Sequence, residues 1–277
     1  MSDLLGFVAI FLVFIFTYIV TLRYPKISKI LFVALGVRVL VLLLGHYFFT
    51  LPDSTDDAWN FEQKAWLWAQ NDFSTIISFY TGPSPDFLPW VIAIIYSFFG
   101  RSLLMAQSIG LLFGIGSVFL SWLLAKKLWN IYVANKVGWL VALFPSLILY
   151  SILLLREVYI VFFILVALMG VVSWVRNNNL KSFIIAMIGF TGGTFFHGAI
   201  MIGAITFLSI VGISNLKYFF KLLYKGKINF KILVFLVAFI IISGTYLTNK
   251  IEVPYLGNFI MSTSIKNLSL NTKFNTH

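Results

Sequence analysis

Residues 4–22 read LLGFVAIFLVFIFTYIVTL, a run with no charged side chain, closed by Arg23. A helix crossing a bilayer core needs about 20 apolar residues, because each adds about 1.5 Å of rise against a thickness of roughly 30 Å. This run is long enough. In lipid the backbone amides must be satisfied within the element, which leaves helices or closed barrels. Barrel strands alternate polar and apolar positions, and this run does not.

Working outward, similar runs follow at 30–49, 102–125, 133–152, 158–175, 182–196, 199–213 and 232–248, the two that flank His197 being short. The expected fold class is an all-α polytopic membrane protein with about eight transmembrane helices. A single membrane domain is expected over 1–248, with a polar, poorly ordered Ser/Thr/Asn-rich tail over 249–277. The first span is expected to be retained, since no positive charge precedes it and no small-residue cleavage pattern follows.

Composition agrees. The chain is 60% hydrophobic and 10% charged, where soluble domains run near 45–50% and about 25%. Its net charge of +11 does not point to nucleic acid, because Lys and Arg fall in short clusters between apolar runs. The absence of cysteine excludes disulfides, thiol nucleophiles and thiolate metal sites. His46, His197 and His277 have no close ligand spacing.

The clusters Arg23/Lys26/Lys29, Lys126/Lys127/Lys136, Arg176/Lys181 and Lys217–Lys231 should be cytoplasmic. That assignment requires the apolar stretch 90–99 not to cross. Ten residues cover only about 15 Å, so it is expected as a re-entrant or interfacial helix ending at Gly100. The amino terminus, the long loop 51–101, the segment 153–157, the turn at His197 and the tail then lie outside. All nine acidic residues fall on that side, six of them in the loop. Carboxylates contribute little to orientation, so their gathering is independent support, and chemistry is expected on the outer face.

Several constellations could carry it. In the segment Asp53-Ser54-Thr55-Asp56-Asp57-Ala58-Trp59, Ser54 or Thr55 is expected to cap an amphipathic helix lying along the membrane. Asp56 and Asp57 would occupy its first turn. Adjacent carboxylates can perturb one another and leave one poised as a base; they can equally do no more than complement the helix dipole. At the outer end of the fourth span Arg156 could hold a phosphate and Glu157 a metal or the acceptor, against the plainer reading of an interfacial ion pair. His197, between two glycine-rich short helices, is either a packing residue or a member of the same site. Arg38 lies inside the second span and is expected to snorkel toward the basic end. The turn 80–90, with Pro83, Pro85 and Pro89, could shape a pocket lip.

In order, these features resemble the GT-C glycosyltransferases, in the branch of dolichyl-phosphate-mannose-protein mannosyltransferases and aminoarabinose transferase. The likeness runs from about residue 30 to 213. It rests on Asp57 with Phe61 and Ala65 at the family's i+4 and i+8 spacing, the prolines at 83 and 85, Phe99-Gly100, Lys126-Lys127 and Glu157. Gly82 and Gln107 stand where family members carry basic residues, and Arg156 is their expected substitute. The resemblance implies an inverting sugar transfer from a polyprenyl-phosphate donor to a lipid, glycan or protein acceptor on the outer side of a bacterial plasma membrane. It makes Asp57, with Asp56, the catalytic pair. Arg156, Glu157 and His197 would bind the donor phosphate or acceptor, and a divalent metal could be held by Asp56, Glu157 or His197. Other classes left open are a lipid-linked oligosaccharide polymerase or ligase, a transporter, and a non-catalytic membrane subunit.

Overall fold

A computed structural model describes residues 2–224, with side chains over 3–213. The expected span at 232–248, the tail 249–277, Glu252 and His277 lie outside the described residues. One compact unit, Met1–Ser209, contains α1 to α10 and the start of α11. Every regular element among the described residues is a helix. In order they are α1 (Ser2–Arg23), α2 (Ser28–Tyr47), α3 (Asp57–Ala69), α4 (Phe73–Ser78), α5 (Phe87–Phe99), α6 (Leu103–Leu128), α7 (Ile131–Leu143), α8 (Pro145–Ile152), α9 (Glu157–Asn177), α10 (Leu180–Phe196) and α11 (Ile200–Tyr224).

Four helices, α1, α2, α6 and α9, are long and apolar enough to cross a bilayer. The pair α7–α8, bent by 57°, passes the same requirements when its two helices are taken together, which makes four or five candidate spans among the described residues. Helix α5 is a short apolar helix, capped by Gly100 at φ +83°, a left-handed turn that favours glycine. Helix α10 and the apolar portion of α11, Ile200–Ile213, are also shorter than a full span.

Local sequence sets the boundaries. The side chains of Ser102, Asn130 and Asn179 cap α6, α7 and α10 by accepting from the amides of Met105, Val133 and Ser182, replacing bonds the first turn cannot make. Asn178, at φ +44°, ends α9 in the left-handed conformation. The Asn177–Asn179 run is therefore a stop followed by a start.

Contacts fix the helix directions. Gly6 of α1 meets Leu104 of α6, and Phe113 of α6 packs on Tyr159 of α9 while Lys127 bonds Ser173, so α1, α6 and α9 run the same way. Helix α2 returns, with Tyr47 donating to Asp3 at 3.2 Å and Phe14 against Phe32. Helix α7 returns beside α6, where Trp122 donates to Asn135 at 2.9 Å. Helix α10 returns on α9, at a crossing so close that a Cβ added to Gly170 would lie 2.2 Å from the Ala186 amide nitrogen. Small residues at such crossings let two backbones approach in lipid.

The segment between α2 and α6, with α3, α4 and α5, thus caps one end of the bundle. Eight described carboxylates occur at that end: Asp3, Asp53, Asp56, Asp57, Glu62, Asp72, Asp86 and Glu157. Arg23, Lys26, Lys29, Lys126, Lys127, Lys136, Arg176 and Lys181 occur at the other.

Two expectations are corrected. The span expected at 133–152 is broken at Phe144-Pro145, where proline lacks the amide that would continue the ladder. Arg38 does not snorkel: it is 1% exposed. Its Nη1 donates to the carbonyls of Ala142 (2.7 Å) and Ala34 (3.2 Å), Nη2 to Val141 (3.3 Å) and Nε to Ser151 Oγ (3.0 Å). The break frees the last carbonyls of α7, and the guanidinium fork satisfies them.

Candidate functional site

Helix α3 presents Ala58, Glu62 and Ala65 inward. Its N-cap is Asp56, with no side-chain cap bond. The expected cap at Ser54 or Thr55 is not formed, because Ser54 Oγ instead donates to the Leu51 carbonyl at 2.6 Å in a turn where Asp53 has φ +62°. Asp56 and Asp57 are exposed, and neither side chain has a hydrogen bond or ion pair among the described residues.

The acid engaged by the fold is Glu62, 3% exposed. Arg101 grips it with two bonds, Nε to Oε1 at 2.9 Å and Nη2 to Oε2 at 2.7 Å, and Tyr96 donates to Oε1 at 3.3 Å. Trp66 lies under the guanidinium at 5.5 Å. The hydrogen bond to Glu62 holds the Arg101 pKa above its usual value; burial, and then the Glu62 charge, push the Tyr96 phenol up. This knot joins α3, α5 and the start of α6. Lys64 pairs with Asp86 at 2.6 Å, and Trp90 Nε1 donates to the Ile76 carbonyl at 2.9 Å. The segment between α2 and α6 is therefore a stapled platform. The pairing was missed in the sequence, although positions 58, 62 and 65 share a helix face and so mark Glu62 as inward.

Arg156 is the N-cap of α9 and lies 3.8 Å from Glu157 Oε1. Glu157 is about two-fifths exposed, yet its Oε2 is buried with no partner, as are Tyr159 Oη and Gln107 Oε1. Buried orphaned polar atoms are uncommon and ask for a ligand, water or chemistry. His197 caps the end of α10 and is exposed.

The elements that carry these residues adjoin. Ala58, next to Asp57, packs in one cluster with Leu153 and Leu155, next to Arg156. Tyr159 stacks on Phe196 with ring centres 4.8 Å apart, and Phe87 of the proline turn meets both Phe195 and Phe196 at 5.0 Å. The start of α3 and the segment leading into α9 thus share one apolar cluster, and the start of α9 and the end of α10 share a second. The side chains of Asp56, Glu157 and His197 do not come together: among the described residues no group of three His, Asp or Glu could hold a metal ion.

No family model, no curated protein and no solved structure matches the chain.

Proposed function

We propose that the chain is a membrane glycosyltransferase that moves a sugar from a polyprenyl-phosphate donor to an acceptor hydroxyl at the acidic end of the bundle, with inversion. The observation that carries this reading is the placement of the start of α3, the start of α9 and the end of α10 at the acidic end of the bundle, which sets a free carboxylate pair, an arginine with its glutamate and a histidine at that end. The ordered likeness to GT-C enzymes supports it.

By the positive-inside rule the basic end faces the cytoplasm and the platform faces outward. Eight crossings are reached by counting α10, the apolar portion of α11 and, from its sequence alone, the run at 232–248 beside the five candidate spans. The donor's isoprenoid tail stays in the bilayer, and its phosphate reaches the interface beside Arg156. Asp57 takes the proton of the acceptor hydroxyl as that oxygen attacks the anomeric carbon. The bond from that carbon to phosphate oxygen breaks, the phosphate keeps the electron pair, and Arg156 stabilises the charge that develops there. Glu157 and His197 position the acceptor. No step is routed through a metal, since the three candidate ligands are not gathered.

The test is transfer of labelled sugar from polyprenyl phosphate into lipid, glycan or protein by membranes containing the full chain. Asp57→Asn should lower turnover by at least about 100-fold, the scale of a lost general base, with insertion intact. Undiminished transfer in that variant would remove Asp57 from the mechanism. It would favour the second reading, a non-catalytic membrane subunit, which the solvent exposure and missing partners of Asp56 and Asp57 support.

A further inference from the structure

A cavity of about 410 Å³ lies between α1, α6 and α9. Its walls are almost wholly apolar, with Phe16, Val20, Leu112, Phe119, Phe162 and Phe163 among them. The hydroxyl of Thr17, which also lines it, is already spent on the Val13 carbonyl at 2.8 Å. Nothing in the walls recognises a polar group, so the cavity suits hydrocarbon. It lies within three helices that each pass the length and hydropathy requirements of a span, where the surrounding solvent is lipid chains.

The charge at one end of the cavity narrows the occupant. Three of the four lining helices, α2 being the fourth through Leu31, terminate in a cation at the same end: Arg23 on α1, Lys127 on α6 and Arg176 on α9. Lys127 and Arg176 are close enough for their charges to interact. All eight described carboxylates occur at the opposite end, so none of these cations has a carboxylate partner among the described residues. The lengths also agree. Val20 is about 5 Å along its helix from Arg23, and Leu112 about 22 Å from Lys127. On α6 the lining runs from Leu112 to Leu120, about 12 Å of rise that ends about 10 Å short of Lys127, so the cavity lies within the chain depth of one leaflet on the basic side and closest to Arg23.

We infer that this cleft is a binding site for one anionic phospholipid of the leaflet at the basic end, with an acyl chain between α1 and α9 and the phosphate under Arg23, Lys127 and Arg176. Basic groups at a helix interface attract anionic headgroups, and the apolar cleft fixes the chain below them. The site is independent of any sugar-transfer activity.

Native mass spectrometry of the full chain, released from vesicles of equal phosphatidylglycerol and phosphatidylcholine, tests this. The wild type should retain one phosphatidylglycerol at least about tenfold more often than phosphatidylcholine. The triple variant R23Q/K127Q/R176Q should lose that preference. Leu112→Trp, which fills the cleft, should lower retention of either lipid while the three cations remain. Circular dichroism and size-exclusion profiles like those of the wild type establish that both variants are folded. Equal retention of the two lipids by the wild type, retention of an isoprenoid in place of phospholipid, or unchanged preference in the triple variant would each overturn the assignment.

Discussion

Glu62 accepts two bonds from Arg101, one from Tyr96 and one from its neighbour Gln63, and its burial makes the pairing costly to break. Removing Arg101 leaves a buried carboxylate without its cation, a loss worth several kcal/mol for fully buried pairs. Arg101 is about two-fifths exposed, so solvent screening lowers that figure. Arg101→Ala should destabilise the protein by about 2 kcal/mol, and E62Q/R101Q together by less than the sum of the single changes. Thermal melts in one detergent give both numbers. Arg38 is a second case. Arg38→Lys should behave like Arg38→Met in the same melts, since an ammonium cannot reach the three carbonyls and the Ser151 hydroxyl that the fork spans. A lysine variant with wild-type melting would show that charge alone holds the site. Both residues were visible in the sequence as charges, but not their partners. A buried pair joining positions 62 and 101 depends on the left-handed turn at Gly100, which returns the chain over α3.

At the scale of elements, the crossing of α9 and α10 depends on two reciprocal contacts, Gly170 against Ala186 and Gly189 against Ala167. A Cβ at either glycine would strike backbone, which cannot move aside as a flexible side chain can. Gly170→Leu should separate the helices and expose the linker at Asn177–Asn179 to limited proteolysis at least about tenfold faster, by local opening. Unchanged cleavage would mean that the pair is held elsewhere. Most helices were legible in the sequence, because apolar runs in lipid have few alternatives. The break at Phe144-Pro145 was not, since the run 133–152 is apolar throughout and proline can be carried within a span. What marks it is the pairing of Pro145 with Arg38, two features far apart in sequence.

For the molecule as a whole, the separation of charge was the most legible property, since each basic cluster closes an apolar run. The acidic end, which carries the start of α3, the start of α9 and the end of α10, was only half legible. Spacing identified Asp57, Arg156, Glu157 and His197 as candidates, but not that Tyr159 of α9 and Phe87 of α5 would meet on Phe196 of α10. The proposed orientation can be tested directly, because the chain has no cysteine of its own. Trp59→Cys and Trp129→Cys, both at exposed positions, should react with a membrane-impermeant maleimide from opposite sides of sealed vesicles. Labelling of both from one side would refute the two-ended arrangement.

In the proposed orientation that arrangement would couple the protein to the voltage of an energised membrane. Three cations at the acidic end, Lys64, Arg101 and Arg156, each sit beside a carboxylate, so among the described residues about five net negative charges stand at one end and eight positive ones at the other. Moving one charge through 100 mV is worth about 2.3 kcal/mol. With the basic end on the electrically negative side, turning over these thirteen described charges would need on the order of 30 kcal/mol at that voltage. Cells depolarised with an ionophore during synthesis would then accumulate inverted copies, a defect invisible in the finished fold.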